Sequence, residues 1–393
     1  MPIILTQNGN IVENTSIYLD YQASTPLDKR VFEQMLPYMT EKFGNPHSSE
    51  HSVGWEAEKA VETAKNQVAD YVGALADEII FTSGATESNN LVIIGIGYAA
   101  AVKEKSSRRT ILVSSIEHKC VFGAARALEG FGFKIEKIPV SASGIIDIEK
   151  LRSLLTDDVL LVSVMATNNE IGTNQPLKEI GRLCTAQGAL FHTDAAQGAY
   201  ANLDVIESNI DFMSLSAHKI YGPKGIGALF INQNATLKPE PIIHGGGQQY
   251  GYRSGTIPTF LAVGFGAAAE IMKNEKVAEV STLQTLRQKF FDGLKERWPG
   301  ILVNGGMENR HPGNLNLRMP ATESKQLILT LQPQVAFSTG AACTSGIQEP
   351  SHVLKAIGLS TEEADRSFRI SVGRFTDDSD IEKAIEIIGQ KVQ

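Results

Sequence analysis

The stretch Ser216-Ala217-His218-Lys219-Ile220-Tyr221-Gly222-Pro223-Lys224-Gly225-Ile226-Gly227 reads least like ordinary core. The apolar run before it (Phe212, Met213, Leu215) predicts a buried strand over 211–215, and the Gly/Pro-rich residues after it predict a tight turn. Lys219 stands where the two meet. Burial penalises an ammonium and lowers its pKa, which makes a lysine nucleophilic enough to condense with a carbonyl compound. The plain alternative is a lysine that buries its stem and extends its amine into water at a strand end.

An acid upstream, in Phe191-His192-Thr193-Asp194-Ala195-Ala196-Gln197, favours the chemical reading. A pyridoxal phosphate site needs a carboxylate on the ring nitrogen as well as a lysine on the aldehyde, and two adjacent strand ends supply both. His-Thr-Asp-Ala-Ala-Gln followed by Ser-Ala-His-Lys-Ile-Tyr-Gly-Pro-Lys-Gly-Ile-Gly resembles the signature of the pyridoxal-phosphate-dependent cysteine desulfurases, within the class V aminotransferase superfamily. The resemblance runs over about residues 17–385, through separated motifs in the family's order. It implies a transferase of fold type I, with a large α/β domain on a mostly parallel seven-stranded sheet and a smaller α/β C-terminal domain.

Composition agrees with that scale. A chain of 393 residues exceeds what one hydrophobic core fills, so two domains are expected. Hydrophobic content of 42% and charged content of 20% belong to an ordinary globular protein, and a net charge of −8 offers no overall attraction to nucleic acid or to an anionic membrane. The start, Met1-Pro2-Ile3-Ile4-Leu5-Thr6-Gln7, has no basic segment, and the longest apolar run, 91–102, is too short to span a bilayer; a cytoplasmic protein is expected. Three cysteines (Cys120, Cys184, Cys343) make no disulfide framework, and no CxxC or His/Cys cluster suggests a metal.

Strand-like segments at 78–82, 111–114, 135–140, 159–165, 189–193, 211–215 and 227–231 alternate with helical ones that include 56–72 and 177–186, the pattern of a parallel α/β sheet. After Thr256 a small-residue helix at 261–272 leads to a polar helix near 283–298. Pro350 suits the first turn of a helix that Gly358 closes, and Ser360 with Glu363 forms a capping box. The expected division is an N-terminal arm (1–30) beside the small domain, a large domain (31–260) and a small domain (261–393).

Further motifs carry chemistry. In Phe81-Thr82-Ser83-Gly84-Ala85-Thr86-Glu87 a strand passes through a small-residue turn into a helix start, where free N–H groups and the helix dipole hold an anion; a plain N-cap at Ser83 or Thr86 explains the turn as well. By resemblance Ala85 and Thr86 belong to the phosphate cradle, with Ser216 and His218 adding contacts. Gly245 through Thr256 resembles the family loop that reaches the other subunit's phosphate, which makes Thr256 a contact and the enzyme a homodimer with shared sites. His118 matches the residue stacked on the ring, Asn169 one near the ring hydroxyl and the substrate, and Gln197 another ring-hydroxyl donor.

Arg369, in Phe368-Arg369-Ile370-Ser371-Val372-Gly373-Arg374, offers a bidentate fork to an amino acid's carboxylate, while Arg374 suits a structural ion pair. Phe337-Ser338-Thr339-Gly340-Ala341-Ala342-Cys343-Thr344-Ser345-Gly346 sets a thiol among small residues between a strand and a helix; the alternative is an incidental loop cysteine. The run resembles the persulfide loop of the group I, nitrogen-fixation-type desulfurases, with Thr339 and Ala341 where those carry serines. Cys120 and Cys184 fall in helical surroundings and read as buried or incidental.

The implied reaction converts L-cysteine to L-alanine. Lys219 and His118 move protons, Asp194 holds the ring protonated, and the Cys343 thiolate takes the sulfur as a persulfide for an acceptor protein. Selenocysteine lyase or an aminotransferase of the same fold is the rival reaction, and a catalytically silent scaffold the rival class. Housekeeping members of the family carry a further C-terminal tail that contacts the iron–sulfur scaffold, whereas this chain stops at Gln390-Lys391-Val392-Gln393; the expectation is that this scaffold is not its main acceptor.

Overall fold

The computed structural model describes residues 3–5, 11–13, 16–320, 322–340 and 350–391. Seven strands form the main sheet, in the spatial order Ile79–Thr82, Gly227–Ile231, Phe212–Ser216, Leu190–Asp194, Val159–Ser163, Thr110–Ser114 and Lys134–Ile138. Only Gly227–Ile231 runs against its neighbours. Six of the seven expected segments shift by a residue or two, and one shift matters: the strand expected at 211–215 is Phe212–Ser216. Ser216 is therefore the last strand residue, and Ala217–Lys219 is a single 3-10 turn.

Six of these strands are buried along their whole length because both faces are covered, whereas the edge strand Lys134–Ile138 is largely exposed. Alternate residues feed opposite cores. Ile79, Phe81, Leu112 and Phe230 pack with the helices Ser52–Val72, Leu177–Gln187 and Thr259–Arg297, whereas Ile80, Ile111, Val113 and Leu229 pack with Ala85–Ala101 and Lys119–Ala127. Each fully buried phenylalanine, such as Phe191 or Phe230, contributes about 2–3 kcal/mol of transfer free energy to this sandwich.

Two expected helices, 261–272 and 283–298, are one helix, Thr259–Arg297, of 39 residues. The stretch between them, Lys273 to Thr282, has no Gly, Pro or capping break; its polarity marks a solvated span, not an end. The helix buries Phe265, Ala268 and Met272 in the first core and Leu283, Leu286, Phe290 and Leu294 in another. That second core lies against a three-stranded antiparallel sheet, Leu302–Val303, Asn314–Arg318 and Ser367–Ser371. Ile17–Tyr18 pairs in parallel with Val335–Ala336, and Asp20 bridges to Ser371, so the chain's beginning is tied to the edge of this region.

Pro350 lies outside the helix it was expected to start: Ser351 is the N-cap of His352–Ala356, its Oγ accepting from Leu354 N, because a side-chain acceptor satisfies a free helical N–H and proline cannot. The Ser360/Glu363 capping box forms as expected. Among the described residues no helix is long and apolar enough to cross a membrane.

Candidate active site

Parallel pairing puts Asp194 opposite Ser214, so the carboxylate and the turn carrying Lys219 leave the sheet at the same C-terminal edge, where α/β folds bind ligands. A cavity of about 690 Å³ opens there. It is lined by Lys219, Asp194, His118, Gln197, Asn169 and Arg369, and by Ala85, Thr86, Ser216 and His218.

Lys219 Nζ donates to the carbonyls of Gln22 (2.6 Å) and Ala23 (2.8 Å). Burial brings its pKa down to about 8; the Arg369 charge pushes the same way, while Asp20 and Asp194 oppose it. Asp194 is fixed from both sides, Oδ2 accepting from Asn89 Nδ2 (2.7 Å) and Oδ1 from Ala196 N (2.9 Å). His118 caps the helix Lys119–Ala127, and burial pushes its pKa down, helped by Lys219 and opposed by Asp194. Gln197 Nε2 donates to the Gln22 carbonyl (2.7 Å).

The cavity has an anion-binding end. The helix Ala85–Ala101 begins at Gly84 without a side-chain cap, leaving its first N–H groups for a ligand. Gly84 has φ 152° and ψ 175°, a region essentially reserved for glycine, and a Cβ there would meet nothing within 4 Å, so the cradle has open space in front of it. His218 Nδ1 lies 3.1 Å from Ser24 Oγ, and burial first, then Lys219 and Lys224, lower its pKa to about 4, so the imidazole is neutral. An aldehyde at Lys219, a protonated ring nitrogen at Asp194 and a phosphate at this helix end fit the same cavity. Thr256 is exposed in the single chain and does not line it.

Arg369 is buried, with Nη1 on the Asn169 carbonyl (2.6 Å), Nη2 on Asp20 Oδ1 (2.6 Å) and Ser338 Oγ (3.1 Å), and Nε without a partner. Arg374 faces elsewhere: it bonds Glu279 (2.6 Å) and Asp28 (2.8 Å) and stacks on Tyr221. Cys343 and Ala341 lie within 341–349, outside the described residues; Gly340, the residue before them, lines the cavity. Among the described residues no cluster of three or more His, Cys, Asp and Glu is placed to hold a metal ion.

Residues 17–384 match the model of the aminotransferase class-V family. The chain belongs to the class-V aminotransferase family. It is 51% identical over 377 residues to cysteine desulfurase IscS of Rickettsia typhi, covering 96% of this chain and 91% of that one. A NifS-like protein superposes with a TM-score of 0.88 at 33% identity, over 95% of this chain and 98% of that one. SspA in complex with cysteine superposes with a TM-score of 0.79 at 38% identity, over 90% and 98%. The α/β architecture of this class-V aminotransferase is fold type I, on its mostly parallel seven-stranded sheet.

The site of this class-V aminotransferase also gathers residues that its motifs did not flag. Cys120, read as buried or incidental, lines the cavity with Sγ 3.0 Å from His118 Nδ1, and burial raises its thiol to about 11. Asn89 lies one helical turn beyond Ala85, and Asp20 arrives from far away in the sequence, near the chain's beginning. Cys120 lies two residues from His118 and Asn89 four from Ala85, a proximity along the chain that the motifs left unused, and nothing local signals Asp20. Cys184 is buried in the main core, as expected.

Proposed function

We propose that this class-V aminotransferase is a cysteine desulfurase that uses pyridoxal 5'-phosphate to convert L-cysteine to L-alanine and takes the sulfur onto Cys343 as a persulfide for an acceptor protein. The observation that carries the reading is one cavity shared by Lys219, Asp194, Arg369 and an uncapped helix N-terminus. The cysteine bound to SspA, 38% identical, supports the substrate. In this reading the large domain (31–260) holds the cofactor, the small domain (261–393) carries Cys343, and the arm (1–30) packs beside it.

The cofactor, when bound, supplies an aldehyde that condenses with amines and an electron-withdrawing ring. Lys219 would hold the aldehyde and, once released as an amine of pKa about 8, would exchange a proton at the substrate Cα near neutral pH. Asp194 would hold a proton on the ring nitrogen, and Asn169 and Gln197 would serve the ring hydroxyl. Ala85, Thr86, Ser216 and His218 hold the phosphate. Arg369 would take the α-carboxylate, and neutral His118 would lie beside the ring and move a proton. The Cys343 thiolate attacks the substrate sulfur; an S–S bond forms as the C–S bond breaks, and the electron pair left on carbon is protonated to give alanine.

The enzyme is a cytoplasmic homodimer in which Thr256 completes the partner's phosphate site, a reading supported by that residue's exposure in one chain. Supplying L-cysteine and a thiol reductant tests the reaction. The expected result is alanine and sulfide in equal amounts from a yellow protein. A colourless protein that forms neither marks a silent scaffold, and turnover of selenocysteine alone marks a selenocysteine lyase.

A further inference from the structure

Cys120 makes and breaks no bond in the proposed reaction, yet its thiol touches one residue that acts there and connects to another. Its backbone N–H donates to His118 Nδ1 at 3.3 Å, and Sγ lies 3.0 Å from the same nitrogen. An N–H can only donate, so Nδ1 presents a lone pair and the neutral imidazole carries its proton on Nε2. On its other side Sγ accepts from Asn89 Nδ2 at 3.2 Å and also bonds the Thr86 side chain, so its proton is available to the Nδ1 lone pair. Asn89 is fully buried and gives its other amide proton to Asp194 Oδ2 at 2.7 Å. Turned over, its carbonyl would face that carboxylate, so the amide has one tenable orientation. Asp194, Asn89, Cys120 and His118 therefore form a single hydrogen-bonded chain beside the cavity.

We propose that Cys120 is a positioning residue: its thiol, steadied by Asn89 on Asp194, holds His118 in the Nε2–H tautomer and ties its ring to the carboxylate that faces the cofactor nitrogen. This rests on the proposed placement of His118 over the ring. A donor on Nδ1 favours the neutral imidazole, so removing it makes protonation easier. The charged and titratable groups facing His118 are Asp194 from its strand, Lys219 from its turn, His352 from the helix packed alongside, and Lys119 on its own helix. Substitution at 120 leaves all four in place.

The test is NMR of the full-length holoenzyme labelled with 15N-histidine, with His118 assigned by its loss in His118→Gln. The wild type is expected to show the Nε2–H tautomer. Cys120→Ala is expected to raise the His118 midpoint by about half to one pH unit, the effect of losing one ordinary hydrogen bond, and to move the acidic limb of kcat upward with it. Cys120→Ser, whose hydroxyl also donates, is expected to restore both. An Nδ1–H tautomer in the wild type overturns the proposal, as does a His118 titration unchanged in the alanine variant. If that variant does not fold, Cys120→Val, which keeps the bulk of the thiol without a donor, takes its place, and a His118 titration unchanged there overturns the proposal equally. Tautomer and titration are read without turnover, so an absent desulfurase activity refutes the proposed function separately.

Discussion

Replacing Arg369 by glutamine is expected to move the pH at which Lys219 captures its aldehyde. In the wild-type apoenzyme the amine has a pKa of about 8 instead of 10.5, through burial first and the Arg369 charge second. At pH 7 about one such amine in ten is neutral, against about one in three thousand at the ordinary value, roughly a three-hundredfold gain in reactive amine. The substitution removes the nearby cation and also deprives Asp20 of its 2.6 Å partner, leaving a carboxylate to attract the ammonium. Both changes favour the charged form, so the midpoint rises, and each unit lowers the neutral fraction at pH 7 about tenfold. Stopped-flow absorbance of pyridoxal phosphate binding to apoenzyme measures this, with Lys219→Ala as the control for other amines. The expected wild-type profile levels off above about pH 8, whereas the variant's continues upward. A variant midpoint at or below the wild-type one would refute the electrostatic reasoning. The same depressed pKa means that the unfolded chain binds the extra proton between about 8 and 10.5, so apoenzyme stability rises over that window relative to Lys219→Met.

Other substitutions separate the remaining roles. Cys343→Ser is expected to keep the yellow cofactor and bind cysteine without forming persulfide; non-reducing peptide mass spectrometry checks it, and wild-type persulfide on Cys120 or Cys184 would count against the assignment. Arg374→Met leaves Glu279 without its ion pair while Arg30 still holds Asp28, so a loss of up to about 3 kcal/mol in denaturant unfolding is expected, with the KM for cysteine unmoved. Gly373→Ala places a Cβ 2.1 Å from the Tyr21 ring and is expected to cost about 1–3 kcal/mol, read as a lower melting temperature; an unchanged one would show that the arm yields there.

Features that depend on neighbours along the chain were legible before any folding was known. Strand runs announced themselves because residues buried on both sheet faces must be apolar, and the Lys219 and Ala85 turns because glycine, proline and small residues punctuate strand ends. The polar stretch after Met272 misled, because polarity alone does not end a helix that lacks a break. Features that depend on distant segments came from the packing of the fold. It brought Asp20 onto Arg369 and the Gln22 and Ala23 carbonyls onto Lys219, and it turned Arg374 away towards Asp28 and Glu279. It also made Cys120 a neighbour of His118 and Asn89, although a thiol in a helix looks the same in sequence whether it faces core or cavity. Hydrogen bonds need their partners within about 3 Å and ion pairs weaken steadily with distance, so the partners of a buried group are set by which segments the packed cores press together, and sequence separation carries no trace of that distance.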